Sequence, residues 1–217
     1  MTIKMVIFKD RQSAGKLLAK RLTHFTDDRR LIVLGIPRGG VVVAAEIAKQ
    51  LQLPLDIIVT RKIGAPNQKE LALGAVDADG EVVWDRELLD QLRIDNGQLT
   101  IEEVKEEIKR RETTYRQGRE ALNIEGKTII LTDDGIATGA TILAAIRFLR
   151  RHKVKKIALA VPVASKESVE RVSKEIGEIG EIVVLETPEY FQAVGQFYQY
   201  FEEVSDEEVI QLLHHER

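Results

Sequence analysis

Five apolar runs of five or six residues, separated by stretches with helical periodicity, constrain the fold of this 217-residue chain more than any other feature. They occupy residues 31–36, 55–60, 128–132, 157–162 and 181–185, and Pro37 and Pro54 punctuate the first two. Runs this short, mostly apolar rather than alternating, read as strands buried on both faces, as in a parallel sheet. Helical patterns at 41–51, at 142–151 and after Ser165 stand between them, an alternation that winds a sheet with crossover helices. The expected fold is therefore α/β, a mostly parallel twisted sheet with helices on both faces.

Further elements flank this alternation. Asp10 is placed to cap a helix running to about residue 25, with Ala14, Leu17, Leu18, Leu22 and Phe25 facing inward. Residues 71–76 and 81–84 suggest a hairpin turning at Asp79-Gly80. Thr100 and Glu103 form a capping box opening a long polar helix to about residue 122. Its apolar stripe of Ile101, Val104, Ile108 and Tyr115 is narrow. The pairs Glu106–Arg110, Glu107–Arg111 and Glu112–Arg116 add only about 0.3–0.5 kcal/mol each. A solvated helix lying over the domain or a partner is the main reading, and a phosphate-binding face at Arg110, Arg111 and Arg119 the alternative. From residue 187 the character changes: Tyr190, Phe191, Phe197, Tyr198, Tyr200 and Phe201 are six of the chain's eleven aromatics, and Ser205 caps a last helix. This divides the chain into an α/β core at 1–186 and a small C-terminal hood or cap at 187–217.

Composition excludes several classes of function. There is no cysteine, hence no disulfide, thiolate metal site or thiol nucleophile. Thirty-two basic against 35 acidic side chains give a net charge of −3, which does not suggest nucleic-acid binding. The longest apolar stretch, 157–164, is far short of the roughly 18 residues a membrane helix needs. Lys4, Lys9 and Asp10 interrupt the start of the chain, so no secretory segment is expected and a soluble, cytoplasmic protein is. His24, His152, His214 and His215 lack metal-ligand spacing and read as surface residues.

The chemistry is concentrated in residues 128–141, Thr-Ile-Ile-Leu-Thr-Asp-Asp-Gly-Ile-Ala-Thr-Gly-Ala-Thr. A buried strand delivers Asp133 and Asp134 to its C-terminal end, where open α/β sheets bind ligands. A loop of small and hydroxyl residues follows, then a helix. Backbone amides from Ala137 to Thr141 would be unpaired at the helix start, where the macrodipole favours an anion. Gly139 and Ala140 permit close approach, and Thr138 and Thr141 offer hydroxyl donors. The two carboxylates would repel a phosphate, so they are suited to accept hydrogen bonds from nearby hydroxyls or to orient a hydrated cation. A sugar phosphate with vicinal hydroxyls meets both demands. A strand-to-helix turn with plain capping is the bland alternative, disfavoured by the strand before and the Thr-Gly-Ala-Thr after.

This segment resembles the diphosphoribosyl-binding motif of the type I phosphoribosyltransferases: four apolar residues, two acids, then a threonine-glycine phosphate loop. The likeness extends over roughly residues 30–165. Gly35-Ile36-Pro37-Arg38-Gly39-Gly40 follows the first core strand, where that family places its pyrophosphate loop. It is neither a Walker A loop nor a dinucleotide fingerprint. Arg61 and Lys62 follow the second core strand and resemble the family's basic pair, although side chains snorkelling at a strand end would look the same. Asp10-Arg11, the Pro-Arg-Gly-Gly loop, Thr60-Arg61-Lys62 and the aromatic tail together resemble an uncharacterised branch of the family. Asn67, Lys69 and Glu70 are expected in a mobile, solvated loop.

The resemblance implies displacement of pyrophosphate from C1 of 5-phosphoribosyl-1-diphosphate by a nitrogenous base, purine-like by preference, as in nucleotide metabolism. Asp133, Asp134, Lys62 and Arg38 would be the catalytic residues. Arg38, Gly39, Gly40, Arg61, Lys62, Asp133, Asp134, Ala137, Thr138, Gly139, Ala140 and Thr141 would bind substrate. It implies magnesium held through substrate and water, with no direct protein ligand, and a homodimer. Two departures matter. Ala137 stands where the hypoxanthine-guanine branch carries an acid, so that branch's base chemistry does not transfer. Gly135 replaces a branched residue, which is expected to loosen the turn. Tyr190, Phe191 or Tyr198 could stack on a nucleobase, although core or dimer packing is the commoner use of such clusters. The alternative function is a non-catalytic sensor of phosphoribosyl diphosphate or a nucleotide.

Overall fold

The computed structural model describes residues 8–25, 30–65, 68–94 and 101–214. In chain order its elements are α1 (Arg11–Arg21), β1 (Leu31–Gly35), α2 (Gly39–Leu51), β2 (Leu55–Ile57), β3 (Arg61–Ala65), β4 (Gln68–Val76), β5 (Val82–Trp84), α3 (Arg86–Leu92), α4 (Glu102–Arg116), β6 (Thr128–Thr132), α5 (Ala140–Arg151), β7 (Lys156–Val163), α6 (Lys166–Ile176), β8 (Gly180–Glu186) and α7 (Asp206–His214). All five apolar runs supply strands of one parallel sheet, in the order β2-β1-β6-β7-β8. The direction of winding reverses between β1 and β6. From β1 the chain crosses through α2 to β2 on one side; from β6 it winds through α5 and α6 to β7 and β8 on the other.

Alternation along each strand divides the core in two. Val33, Ile130 and Ala158 face the layer of α1, α2 and α7, while Ile32, Leu34, Ile129, Leu131 and Leu159 face α5 and α6. Both faces of the sheet are covered, which is why these runs are mostly apolar rather than alternating. Asp10 caps α1 as expected, its side chain accepting from the Ser13 amide at 2.7 Å while the Ser13 hydroxyl accepts from the Asp10 amide at 3.0 Å. Leu17, assigned to the inward face, is instead 43% exposed, and Phe25 belongs to a separate short 3-10 turn.

Between residues 55 and 125 the structure departs from the sequence expectation. The run 55–60 stops pairing with β1 at Ile57. Four residues later the chain enters β3, which joins β4 and β5 in an antiparallel sheet of its own, order β3-β4-β5. The hairpin at Asp79-Gly80 is present, with Asp77 Oδ1 accepting from the Asp79 and Glu81 amides and Gly80 at φ +83°. Lys69 and Glu70 lie in β4 rather than in a loop; Asn67 is outside the described residues. The short helix α3 carried no periodic signal. Thr100, and with it the capping box, is also outside the described residues.

Helix α4 ends at Arg116, six residues before the expected stop. Gln117 and Gly118 both adopt positive φ, and the Gln117 amide closes on the Thr113 carbonyl. A left-handed residue followed by glycine is a helix stop. The segment beyond is tied down by Asp56, which accepts from the Leu122 amide at 2.8 Å and from Arg116 Nη1 at 2.5 Å. Of the expected pairs on α4, Glu107–Arg111 and Glu112–Arg116 form. Arg110 turns to Glu107 and Asp206, and Arg119 donates to the Leu55 and Leu213 carbonyls, so these side chains do not make a phosphate-binding face. Helix α7 packs on α2 and α4 through Val209 and Leu213, both buried in the main core. No helix among the described residues is long and apolar enough to cross a membrane.

Candidate active site

The reversal of winding leaves the loops after β1 and β6 side by side at the carboxyl end of the sheet, the position where open α/β folds bind ligands. They touch through backbone: the Ile36 amide donates to the Thr132 carbonyl at 3.0 Å. Gly39 and Gly40 then pass directly over the acids. A Cβ on Gly40 would lie 2.8 Å from Asp133 Cα, and one on Gly39 would collide with the Asp134 carboxylate and sit 2.8 Å from Arg11 Nε. Glycine is therefore required at both positions by close approach rather than by φ. The peptide between Pro37 and Arg38 is cis.

Asp133 and Asp134 are strongly desolvated. Asp133 Oδ1 accepts from the Asp134 amide at 2.8 Å. Burial, reinforced by the neighbouring Asp134 charge, pushes the Asp133 carboxyl well above its ordinary range. Burial also raises Asp134, but Arg11 pulls it back, with Nε donating to Oδ2 at 2.7 Å. Arg11 thus opposes the burial of both acids, and it does so by direct contact at Asp134. Tyr198 completes the cage by donating its hydroxyl to the Asp134 carbonyl at 2.6 Å. Burial pushes that phenol far up as well, so it stays a donor.

Helix α5 begins beside the acids with Gly139 at φ +81° and no side-chain cap. The Ile136 amide is used by the Val163 carbonyl, and the Ala137 carbonyl accepts from Ser165 Oγ. Among the described hydrogen bonds none takes the amides of Ala137 to Thr141. Ala137 and Thr138 are exposed, and Thr141 is half-buried. Gly135 does not loosen the turn: a Cβ there would lie 2.6 Å from Val194 Cγ1 and 3.0 Å from Val163 Cγ1. The missing side chain lets the C-terminal segment press on the loop.

The basic residues are more dispersed. Arg38, the residue before α2, reaches Glu203 and lies 3.7 Å from Asp206. Arg61 and Lys62 begin β3 in the second sheet; Arg61 Nη1 donates to Glu107 of α4 at 3.1 Å, and Lys62 is exposed. Acids of α4 and of the tail therefore compete for the side chains expected to meet a diphosphate. Glu107 in turn is held down to about 2 by Arg110 and Arg111 despite its partial burial. Tyr198 is not free to stack on a base. It is 6% exposed and packs between Phe8 and Phe201. Phe191 packs on Phe197, and Tyr190 is 66% exposed.

The sequence reading assigned no role to Arg11. It stands at the first turn of α1, 123 residues from Asp134, and no local pattern could connect the two. The one available signal was a cation at a helix start, where the macrodipole disfavours it. A separate cavity of about 390 Å³, lined by residues including Ile58, Arg116, Leu122, Phe148 and His152, contains neither acid.

Comparison with known proteins agrees with this geometry. The family profile of the phosphoribosyl transferase domain matches residues 9–195. "Putative phosphoribosyl transferase Rv0571c" of Mycobacterium tuberculosis is 43% identical over 211 residues, covering 96% of this chain and 47% of that protein. The chain thus spans about half the length of the curated relatives it matches. The crystal structure of TT1426 from Thermus thermophilus is 38% identical with a TM-score of 0.76, covering 95% of this chain and 97% of that one. A hypothetical protein from Neisseria gonorrhoeae with bound ppGpp, 13% identical, covers 100% of both chains at a TM-score of 0.51 and so shares the fold. With its parallel sheet and the matched loops at the winding reversal, the chain belongs to the phosphoribosyl transferase domain family.

Proposed function

We propose that this protein transfers the 5-phosphoribosyl group of 5-phosphoribosyl-1-diphosphate to a nitrogenous acceptor and releases pyrophosphate. The observation carrying this reading is the contact of Gly39 and Gly40 with Asp133 and Asp134 beside the uncapped start of α5. It sets backbone donors for a phosphate, carboxylates for hydroxyls and a close-approach glycine loop around one point. The α5 start takes the 5-phosphate on the amides of Ala137 to Thr141. Asp133 and Asp134 hold the ribose hydroxyls and face the positive charge that develops on the ring. Arg38 and the Gly39-Gly40 backbone meet the diphosphate, exchanging Glu203 for the leaving group. Arg61 and Lys62, on β3, complete the positive side. Asp133 and Asp134 are oxygen donors of the kind magnesium takes, and in this reading the ion is held mainly through the diphosphate and water. That ion would spread the charge of the departing pyrophosphate.

A second reading, binding without turnover, draws on one feature: residues 135–141 contain no carboxylate or imidazole to take a proton from an acceptor. Pyrophosphate release measured with magnesium, the sugar diphosphate and a panel of purines, pyrimidines and related heterocycles separates the two. Release above an Asp134→Asn control is expected. Tight binding without release from any acceptor overturns transfer in favour of sensing, and no binding overturns both.

A further inference from the structure

We propose that Arg11 is a positioning residue of this site, fixing the Asp134 carboxylate against the glycine loop while the C-terminal tail fixes Arg11. Its guanidinium is the most heavily engaged cation near the acids. Nε donates to Asp134 Oδ2 at 2.7 Å, Nη1 donates to the Glu202 carbonyl at 2.8 Å, and the planar group lies 3.8 Å from the centroid of the Phe201 ring. The side chains of Arg11 and Asp134 are 11% and 15% exposed, so the pair lies in a low-dielectric setting where one bond sets the direction of the other. Stacking on an aromatic face and a fork of donors suit arginine and not lysine.

The placement of Arg11 argues that the contact serves the site rather than the helix. A cation in the first turn of α1 opposes the macrodipole, and no acid in that turn offsets it. The helix is instead capped by Asp10 and would be better served by a neutral or acidic neighbour. Asp134, for its part, has a neighbouring acid and a desolvating cover, and Arg11 is the charge that opposes both. The groups facing Arg11 are Asp134, the Glu202 carbonyl, Phe201 and the Gly39 backbone, and Asp133 and Tyr198 stand immediately beyond. Three segments distant in sequence thus meet at the Arg11–Asp134 pair: the start of α1, the loop after β6 and residues 198–202.

This inference rests on the phosphoribosyl reading, and its test separates the two. Binding of 5-phosphoribosyl-1-diphosphate with magnesium is measured by calorimetry for the wild type, Arg11→Gln, Asp134→Asn and the double variant, with thermal melting of each. Arg11→Gln is expected to weaken binding about tenfold or more, the scale of a lost charge-assisted bond. If Arg11 acts through Asp134, the double variant is little weaker than the poorer single variant, and Arg11→Lys recovers part of the loss. Additive losses, or a lowered melting temperature with unchanged affinity, would assign Arg11 a merely structural part and overturn the proposal. Should Arg11→Gln not fold, Phe201→Leu releases the guanidinium more gently. It is then expected to weaken binding in the wild-type background and to have no effect beside Asp134→Asn; equal effects in both overturn the proposal. Binding that depends on Asp134 but not on Arg11 sinks this inference alone. A wild type that binds no sugar diphosphate sinks the functional reading along with it.

Discussion

Asp133 illustrates what a desolvated acid beside a second acid costs the fold. A carboxyl whose pKa is raised on folding binds its proton more tightly in the native state, so stability falls as the pH climbs through the interval between the unfolded and folded values. For Asp133 that interval begins at 3.8 and extends well upward. Asp133→Asn keeps an acceptor for the Asp134 amide and removes the buried charge. It is expected to melt at a higher temperature than the wild type at pH 7, with the difference closing toward pH 4, and to bind the sugar diphosphate poorly. Melting curves across pH check the first expectation; identical curves at pH 7 would refute it. Gly135 makes the opposite point, since space rather than charge is short there. Gly135→Val drives a side chain into Val163 and Val194, an overpacking of about 1–3 kcal/mol, to be seen as a lower midpoint in denaturant. The two acids and the loop before α5 were legible as a unit because one contiguous segment carries them. Arg11 was not, because its partner lies 123 residues away.

Among the elements, the strands of the parallel sheet were the most legible, since burial on both faces favours apolar residues at most positions. The run 55–60 misled for a related reason. Ile58 and Val59 are as buried as any strand residue, but they lie between the two sheets rather than within one. Apolar content reports burial and is silent on pairing. The end of α4 was legible in Gln117-Gly118 and overlooked because the charge pattern continues past it. That segment depends on Asp56, 3% exposed, against Arg116 and the Leu122 amide. Asp56→Ala removes one of the two carboxylates that hold the Arg116 guanidinium, together with the acceptor for the Leu122 amide, and is expected to cost about 3–5 kcal/mol. Chemical denaturation measures this, and a loss under about 1 kcal/mol, the scale of an exposed ion pair, would show that Glu112 alone suffices for Arg116.

At the scale of the molecule, residues from 187 onward are woven into the rest rather than laid upon it. Val204, Val209 and Leu213 belong to the same core as α1 and α2, and Tyr198 and Phe201 brace the acids from behind Arg11. A chain ending at residue 205 is therefore expected to lose stability throughout, melting well below the full chain, because α2 and α4 would expose the apolar faces that α7 covers. An unchanged melting temperature would mark α7 as a detachable appendage. The sequence by itself determined the sheet, its crossover helices and the small-residue loop that opens α5 without a side-chain cap, because these follow from burial and turn chemistry over a dozen neighbouring residues. Only the tertiary structure decided which cation answers Asp134, which acids hold Arg38 and Arg61, and why residues 39 and 135 must be glycine. Those answers depend on surfaces that meet only after the chain has folded, and no local spacing encodes them.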